Sequence, residues 1–123
     1  MSDGSNPRTE VRPWGEFTVL LDAPDCKVKR ITVKAGQRLS LQRHCYRSEH
    51  WVCVSGQGLV TRGIDHDDLL DDLLEAGDSC EIGVGYMHRM SAGPTGVTFI
   101  ETQLGSYFGE DDIERFEDDH GRV

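Results

Sequence analysis

An all-β domain, a small sandwich or barrel, is the fold class this 123-residue sequence predicts. Three observations carry that expectation. Short stretches that are apolar, or that alternate apolar with polar, recur at regular spacing and end at turn signals. Fourteen glycines stand against four prolines, a balance suited to many tight turns. Hydrophobic residues make up 37% of the chain, enough for one compact core, and the length suits one domain.

Taken in order, residues 1–12 are polar and read as a loosely packed arm, which leaves 13–123 as the single domain. Residues 17–21 form a strand that ends at Asp22-Ala-Pro-Asp25. Residues 27–34 alternate in their second half and stop at Ala35-Gly36. Residues 38–44 alternate cleanly, and 50–55 are nearly all apolar or aromatic before Gly56-Gln-Gly58. Further strands are expected at 59–62, 79–82, 89–92 and 97–102. Residues 67–75 carry leucines at 69, 70, 73 and 74, which fit one helical face. Their place between two strands, just ahead of Gly77, favours a hairpin with a strand near 72–75. From Gly109 a short C-terminal helix is expected, because Glu110, Asp111 and Asp112 suit a positive first turn and Ile113 and Phe116 lie three apart.

Composition narrows the function. Thirteen Lys and Arg against 22 Asp and Glu give a formal charge of −9, which argues against nucleic acid or an anionic membrane as partner. No apolar run approaches the roughly 18 residues of a membrane span. The opening residues are polar and acidic, so no signal peptide is read there and a cytoplasmic location is expected. Cys26, Cys45, Cys53 and Cys80 are scattered without a CxxC pair and are expected as reduced thiols.

Two spacings carry the chemistry. Gly36 is followed by five residues, Gln42-x-His44, four more, Glu49, six more, and Gly56. On an extended strand, residues two apart share a face, so Arg38, Ser40, Gln42 and His44 form a polar stripe opposite Leu39 and Leu41. The second cluster reads Gly77, five residues, Gly83-x-Gly85, two residues, His88, with glycines that allow a turn to swing His88 across the barrel.

This pair of spacings resembles the two signature motifs of the cupin superfamily. Gln42 stands where most cupins have a first His, Gly83 where they have Pro, and Ala92 where they have Asn. A Gln-x-His pair in that slot is similar to the metal slot of phosphomannose isomerases. Residues 11–17, 27–34, 36–42, 44–51, 100–107 and 109–118 resemble the type II mannose-6-phosphate isomerase domain, so the likeness covers nearly the whole chain. That domain is often the carboxyl half of a bifunctional enzyme with a mannose-1-phosphate guanylyltransferase. The present sequence has no Gly-rich nucleotide loop, and nucleotidyl transfer is not expected of it. It departs from the type II pattern at Cys26, Tyr46 and His120.

The resemblance implies a jelly-roll barrel with a divalent metal held by Gln42, His44, Glu49 and His88. Zinc suits that donor set best, with manganese, iron or nickel as the other choices. The plainer reading is a hydrogen-bonded polar cluster without metal. The implied reaction is the interconversion of mannose 6-phosphate and fructose 6-phosphate, or of a related phosphosugar. Glu101 is the expected base and Arg122 a second catalytic group reaching over the site. Arg38, with Arg122 as a second candidate, is expected to hold the phosphate, with Gln103, Tyr46 and Trp51 also touching substrate. The rival is a sugar-binding or regulatory cupin without turnover. A metal-dependent oxygenase is a third reading, which Gln42 in place of His counts against. Pairing of two barrels through the amino-terminal strand gives an expected homodimer.

Overall fold

The computed structural model describes residues 8–123 and is built from nine strands: β1 (Thr9–Arg12), β2 (Gly15–Asp22), β3 (Cys26–Val33), β4 (Leu41–Arg43), β5 (Arg47–Gly63), β6 (Leu70–Glu75), β7 (Ser79–Ile82), β8 (Met87–Gly105) and β9 (Glu114–Glu117). They form one curled antiparallel sheet ordered β1-β2-β3-β8-β4-β9, with β5 beside β8 and carrying β6 and β7. This is the jelly-roll barrel of the cupins.

Two long strands do the work of four expected ones. The stretches read as separate strands at 50–55 and 59–62 are one strand, β5, and those at 89–92 and 97–102 are one strand, β8. The register of β5 against β8 shifts between Cys53 and Ser55 and again between Gly56 and Gly58, and there the ribbon bends from one half of the barrel to the other. Gly56 has φ 72° and its missing Cβ would lie 2.1 Å from the carbonyl oxygen of Gly96, itself at φ 79°. The turn signals at these glycines are therefore bends within continuous strands.

The core runs between the curled faces. Phe99, Val33 and Val60 are wholly buried, and Trp51 packs on Phe99 with ring centroids 4.8 Å apart. The segment at 67–75 forms the expected hairpin: β6 pairs with β5, and Leu74 turns into the core while Leu70 and Leu73 face out.

Two expectations are corrected. Within the stretch read as an arm over 1–12, Thr9–Arg12 is a strand paired with β2, while residues 1–7 lie outside the described residues. There is no C-terminal helix. Residues 109–112 make a turn, closed by the Asp112 amide on the Gly109 carbonyl at 3.1 Å, and Glu114–Glu117 then pairs with β4. A helix this short has a costly nucleus, whereas the open edge of β4 offers unpaired backbone groups. Strand alternation sends Phe116 away from the cavity, under the Arg43 guanidinium at 5.3 Å.

Gly56→Ala tests the bend. A side chain there meets backbone and a left-handed φ at once, so the variant should lose at least about 1–2 kcal/mol. That corresponds to a Tm lower by roughly 4 °C or more, read by thermal melting. An unchanged Tm would mean the bend accepts a side chain.

Candidate metal centre and cavity

Three strands meet at the polar cluster. β4 brings Gln42, the first turn-out of β5 brings Arg47, Glu49 and Trp51, and the start of β8 brings His88. Gln42 and His88 are direct antiparallel partners, so the two sequence motifs face each other across a ladder. The turn before β8 makes this register: Gly85, at φ 80°, donates its amide to the His44 carbonyl at 2.9 Å.

His44, Glu49 and His88 are buried and offer donor atoms that lie within 4.8 Å of one another. His44 Nε2 is 3.3 Å from Glu49 Oε2, and His88 Nε2 is 3.7 Å from Glu49 Oε1. The other nitrogen of each ring fixes its tautomer. His44 Nδ1 donates to the Asp112 carbonyl at 2.7 Å and His88 Nδ1 to the Tyr86 carbonyl at 3.0 Å, which leaves both Nε2 lone pairs aimed at the cluster. Burial lowers both imidazoles to about 4, aided at His44 by the fields of His88 and Arg47 and opposed at His88 by the bond to Tyr86. Both are neutral ligands in form.

His88 Nε2 is buried and has no hydrogen-bond partner. A lone pair left bare beside a buried carboxylate is costly, and a divalent cation satisfies both. The set of two imidazole nitrogens and a carboxylate oxygen therefore fits a metal. Gln42 flanks it: its Oε1 accepts from Ser40 Oγ at 2.7 Å, and its Nε2 lies 3.4 Å from His44 Nε2. Exchanging the two ends of the amide puts its oxygen beside the cluster.

Sequence reasoning missed Arg47. Its buried guanidinium donates through Nε to Glu49 Oε2 at 3.0 Å and through Nη2 to His44 Nε2 at 3.1 Å. It precedes Glu49 by two residues on one strand, and that shared parity is the signal that points to it.

Glu101 is buried at the cavity wall, and Gln103 Nε2 donates to its Oε2 at 2.8 Å. Burial first, then the nearby Glu49 carboxylate, pushes the Glu101 carboxyl up to about 7. A cation in the cluster would draw it down again.

Other expected contacts fall elsewhere. Gln103 is fully buried and does not line the cavity; it holds Glu101. Trp51 is also core, with its Nε1 donating to Glu49 Oε1 at 3.0 Å and its ring edge-on to His88. Arg38 forms a bidentate pair with Asp119 and lines an outer groove with Leu59, Arg89 and Glu117. The polar-stripe argument fails there because Arg38 makes only an isolated bridge to Ser91 and β4 begins at Leu41, so Leu39 faces the cavity instead. Tyr46 is 61% exposed and edge-on to Tyr107, because the Asp112 carboxylate clamps the amides of Cys45 and Tyr46 and turns the ring out. Arg122 does line the cavity, with its Nε and Nη2 held by Asp118.

Above the cluster the cavity is walled by Trp14, Phe17, Ile31 and Leu39, with Arg12, Lys29 and Arg115 among its polar lining. One wall is the C-terminal strap, residues 109–122, which supplies Glu110, Asp112, Ile113, Arg115 and Arg122.

Barrel and centre together define a cupin with a buried two-histidine, one-glutamate cluster that meets the cavity through His44. Its fold is similar to that of the capsular polysaccharide assembling protein CapF from Staphylococcus aureus, with TM-score 0.80 at 22% identity over 94% of this chain and 34% of that one. The chain belongs to the family described as mannose-6-phosphate isomerase C-terminal, which matches residues 3–118. It is 47% identical over 123 residues to the xanthan biosynthesis protein XanB of Xanthomonas campestris pv. campestris (strain B100), covering 99% of this chain and 25% of that protein. It is 43% identical over 126 residues to the alginate biosynthesis protein AlgA of Pseudomonas aeruginosa, covering 99% and 24%. The chain thus spans about a quarter of the length of these curated relatives.

Asp118 gives the strap a pH dependence. It accepts from the Arg122 side chain and from the Arg122 amide at 2.7 Å, and these bonds hold its carboxyl down at about 2. A depressed carboxyl stabilises the fold above its ordinary value of 3.8, and the contribution is lost as pH falls through about 2. Hydrogen exchange should therefore show residues 118–122 losing protection across that acid range in the wild type, and Asp118→Asn should remove the transition. Identical acid profiles for the two proteins would contradict the assignment.

Proposed function

We propose that this chain is a metal-dependent aldose–ketose isomerase acting on mannose 6-phosphate or a related phosphosugar. The observation that carries the reading is Glu101: a buried carboxylate on the cavity wall, beside a cluster that fits a divalent metal. Family membership supports the substrate class. His44, Glu49 and His88, with Gln42 at the flank, would hold the metal; zinc suits the donors best. Bound there, it would supply a Lewis acid for the sugar oxygens at C1 and C2.

The residues of the chain do the rest. Glu101 takes the proton from one of these carbons and returns it to the other, with Gln103 fixing the carboxylate. The Arg47 guanidinium adds positive charge where oxygen charge develops. Trp14, Phe17 and Ile31 give the cavity an apolar wall against which the sugar ring can pack. All four cysteines are free thiols, in keeping with a reducing, cytoplasmic setting. Among the described residues, no helix is long and apolar enough to cross a membrane. Among the described residues β1 pairs only with β2, and this edge, with Val11 exposed, supports a homodimer joined through it.

Metal-replete protein should exchange the C2 deuterium of labelled mannose 6-phosphate with water. Glu101→Gln should cut that rate by about 10²–10⁴ while sugar binding and metal content persist, whereas His88→Ala should lose metal and activity together. Binding of the phosphosugar with no C2 exchange by the wild type would favour the binding-module reading.

A further inference from the structure

The cavity mouth holds cations that the cluster at its base does not use. Arg115 is the cross-strand partner of Gln42 between β9 and β4, so it stands one strand from the cluster and lines the same cavity. Among the described residues it makes no ion pair, and its Nε is buried with nothing to donate to. The other arginines of the cavity are engaged: Arg12 with Glu10, Arg47 with Glu49, and Arg122 with Asp118. Burial, and then the field of Arg122, weakens the hold of Arg115 on its proton. Lys29 is mostly buried on the same wall. Its ammonium lies over the Phe17 ring at 4.6 Å, and its carboxylate neighbour, the exposed Glu110, is 3.7 Å away.

A protein with a formal charge of −9 has carboxylates to spare, yet among the described residues Arg115 makes no ion pair: Asp118 and Glu110 only partly offset its burial, and it shares one cavity with Lys29 and Arg122. A guanidinium with a buried, unpartnered Nε gains when an anion enters, and its planar fork is the side chain best shaped to hold a phosphate. We infer that Arg115, with Lys29 and Arg122, forms the subsite for the phosphate of a phosphorylated sugar whose reacting end lies at His44, Glu49 and His88. The sugar part of this statement rests on the isomerase reading; the anion part does not. The subsite also joins two functions in the strap, since Arg115 and Arg122 belong to the segment whose Asp112 carbonyl orients His44. Phosphate bound there would draw the strap against the barrel.

Calorimetry on the metal-loaded chain tests the subsite with two probes, inorganic phosphate and mannose 6-phosphate. Arg115→Met keeps the length of the side chain and removes the charge. It should weaken both probes by about 10–100-fold, the worth of a charge-assisted hydrogen bond, while metal content and Tm stay as in the wild type. Arg115→Lys should recover most of the affinity. Equal affinities for wild type and Arg115→Met, equal losses in the Met and Lys variants, or a wild type that binds neither probe would each overturn the subsite. If C2 exchange fails in the wild type while inorganic phosphate binding still depends on Arg115, the isomerase reading falls and the anion site stands. If exchange proceeds with unchanged KM in Arg115→Met, the reverse holds.

Discussion

A carboxylate sealed into the base of a β-barrel costs several kcal/mol unless other groups neutralise it, and the arrangement around Glu49 answers that cost. Its two oxygens take hydrogen bonds from Arg47 Nε and Trp51 Nε1, and two neutral imidazoles stand within 3.7 Å. Each of these partners is itself fixed by the fold. Trp51 is wedged against Phe99, His88 is set by the glycine turn before β8, and His44 is set by the strap. The barrel therefore cannot repack this corner piecemeal. Removing Glu49 would leave the Arg47 Nε–H and the Trp51 indole N–H without their acceptor.

The strap is the second consequence. With β9 added to the edge of β4, the C-terminal segment closes one side of the cavity through unlike contacts: a carbonyl on His44, a carboxylate on two backbone amides, and ion pairs from Arg38, Arg43 and Arg89 to Asp119, Glu114 and Glu117. The ion pairs of Arg38 and Arg43 are solvent-exposed and worth little singly. The buried contacts at Asp112 carry the attachment and tie the strap to the ligand sphere. One carbonyl, that of Asp112, joins the strap to the His44 ring.

Much of this was legible in the sequence because strand alternation and glycine spacing are local signals. The parity of β5 puts Glu49 inward, and the Gly83-x-Gly85 turn announces His88. The same parity argument reaches Arg47, two residues before Glu49 on one strand. It misleads at Arg38, where the chain is not a strand until Leu41. The C-terminal segment was illegible for a different reason. Ile113 and Phe116 satisfy a helical period over one turn, and only the unpaired edge of β4, a tertiary fact, decides for a strand. Tyr46 likewise depends on Asp112, far away in sequence, which no local pattern reveals.

The central claim is that Glu49 and the two histidines form one metal site at the base of the cavity. X-ray absorption on the protein loaded with one equivalent of zinc tests it most directly. The account predicts a first shell of nitrogen and oxygen at about 2.0–2.2 Å with imidazole scattering beyond it, and the loss of that signal in Glu49→Gln. A shell containing sulfur at about 2.3 Å, or a spectrum unchanged in Glu49→Gln, would place the metal elsewhere and contradict it.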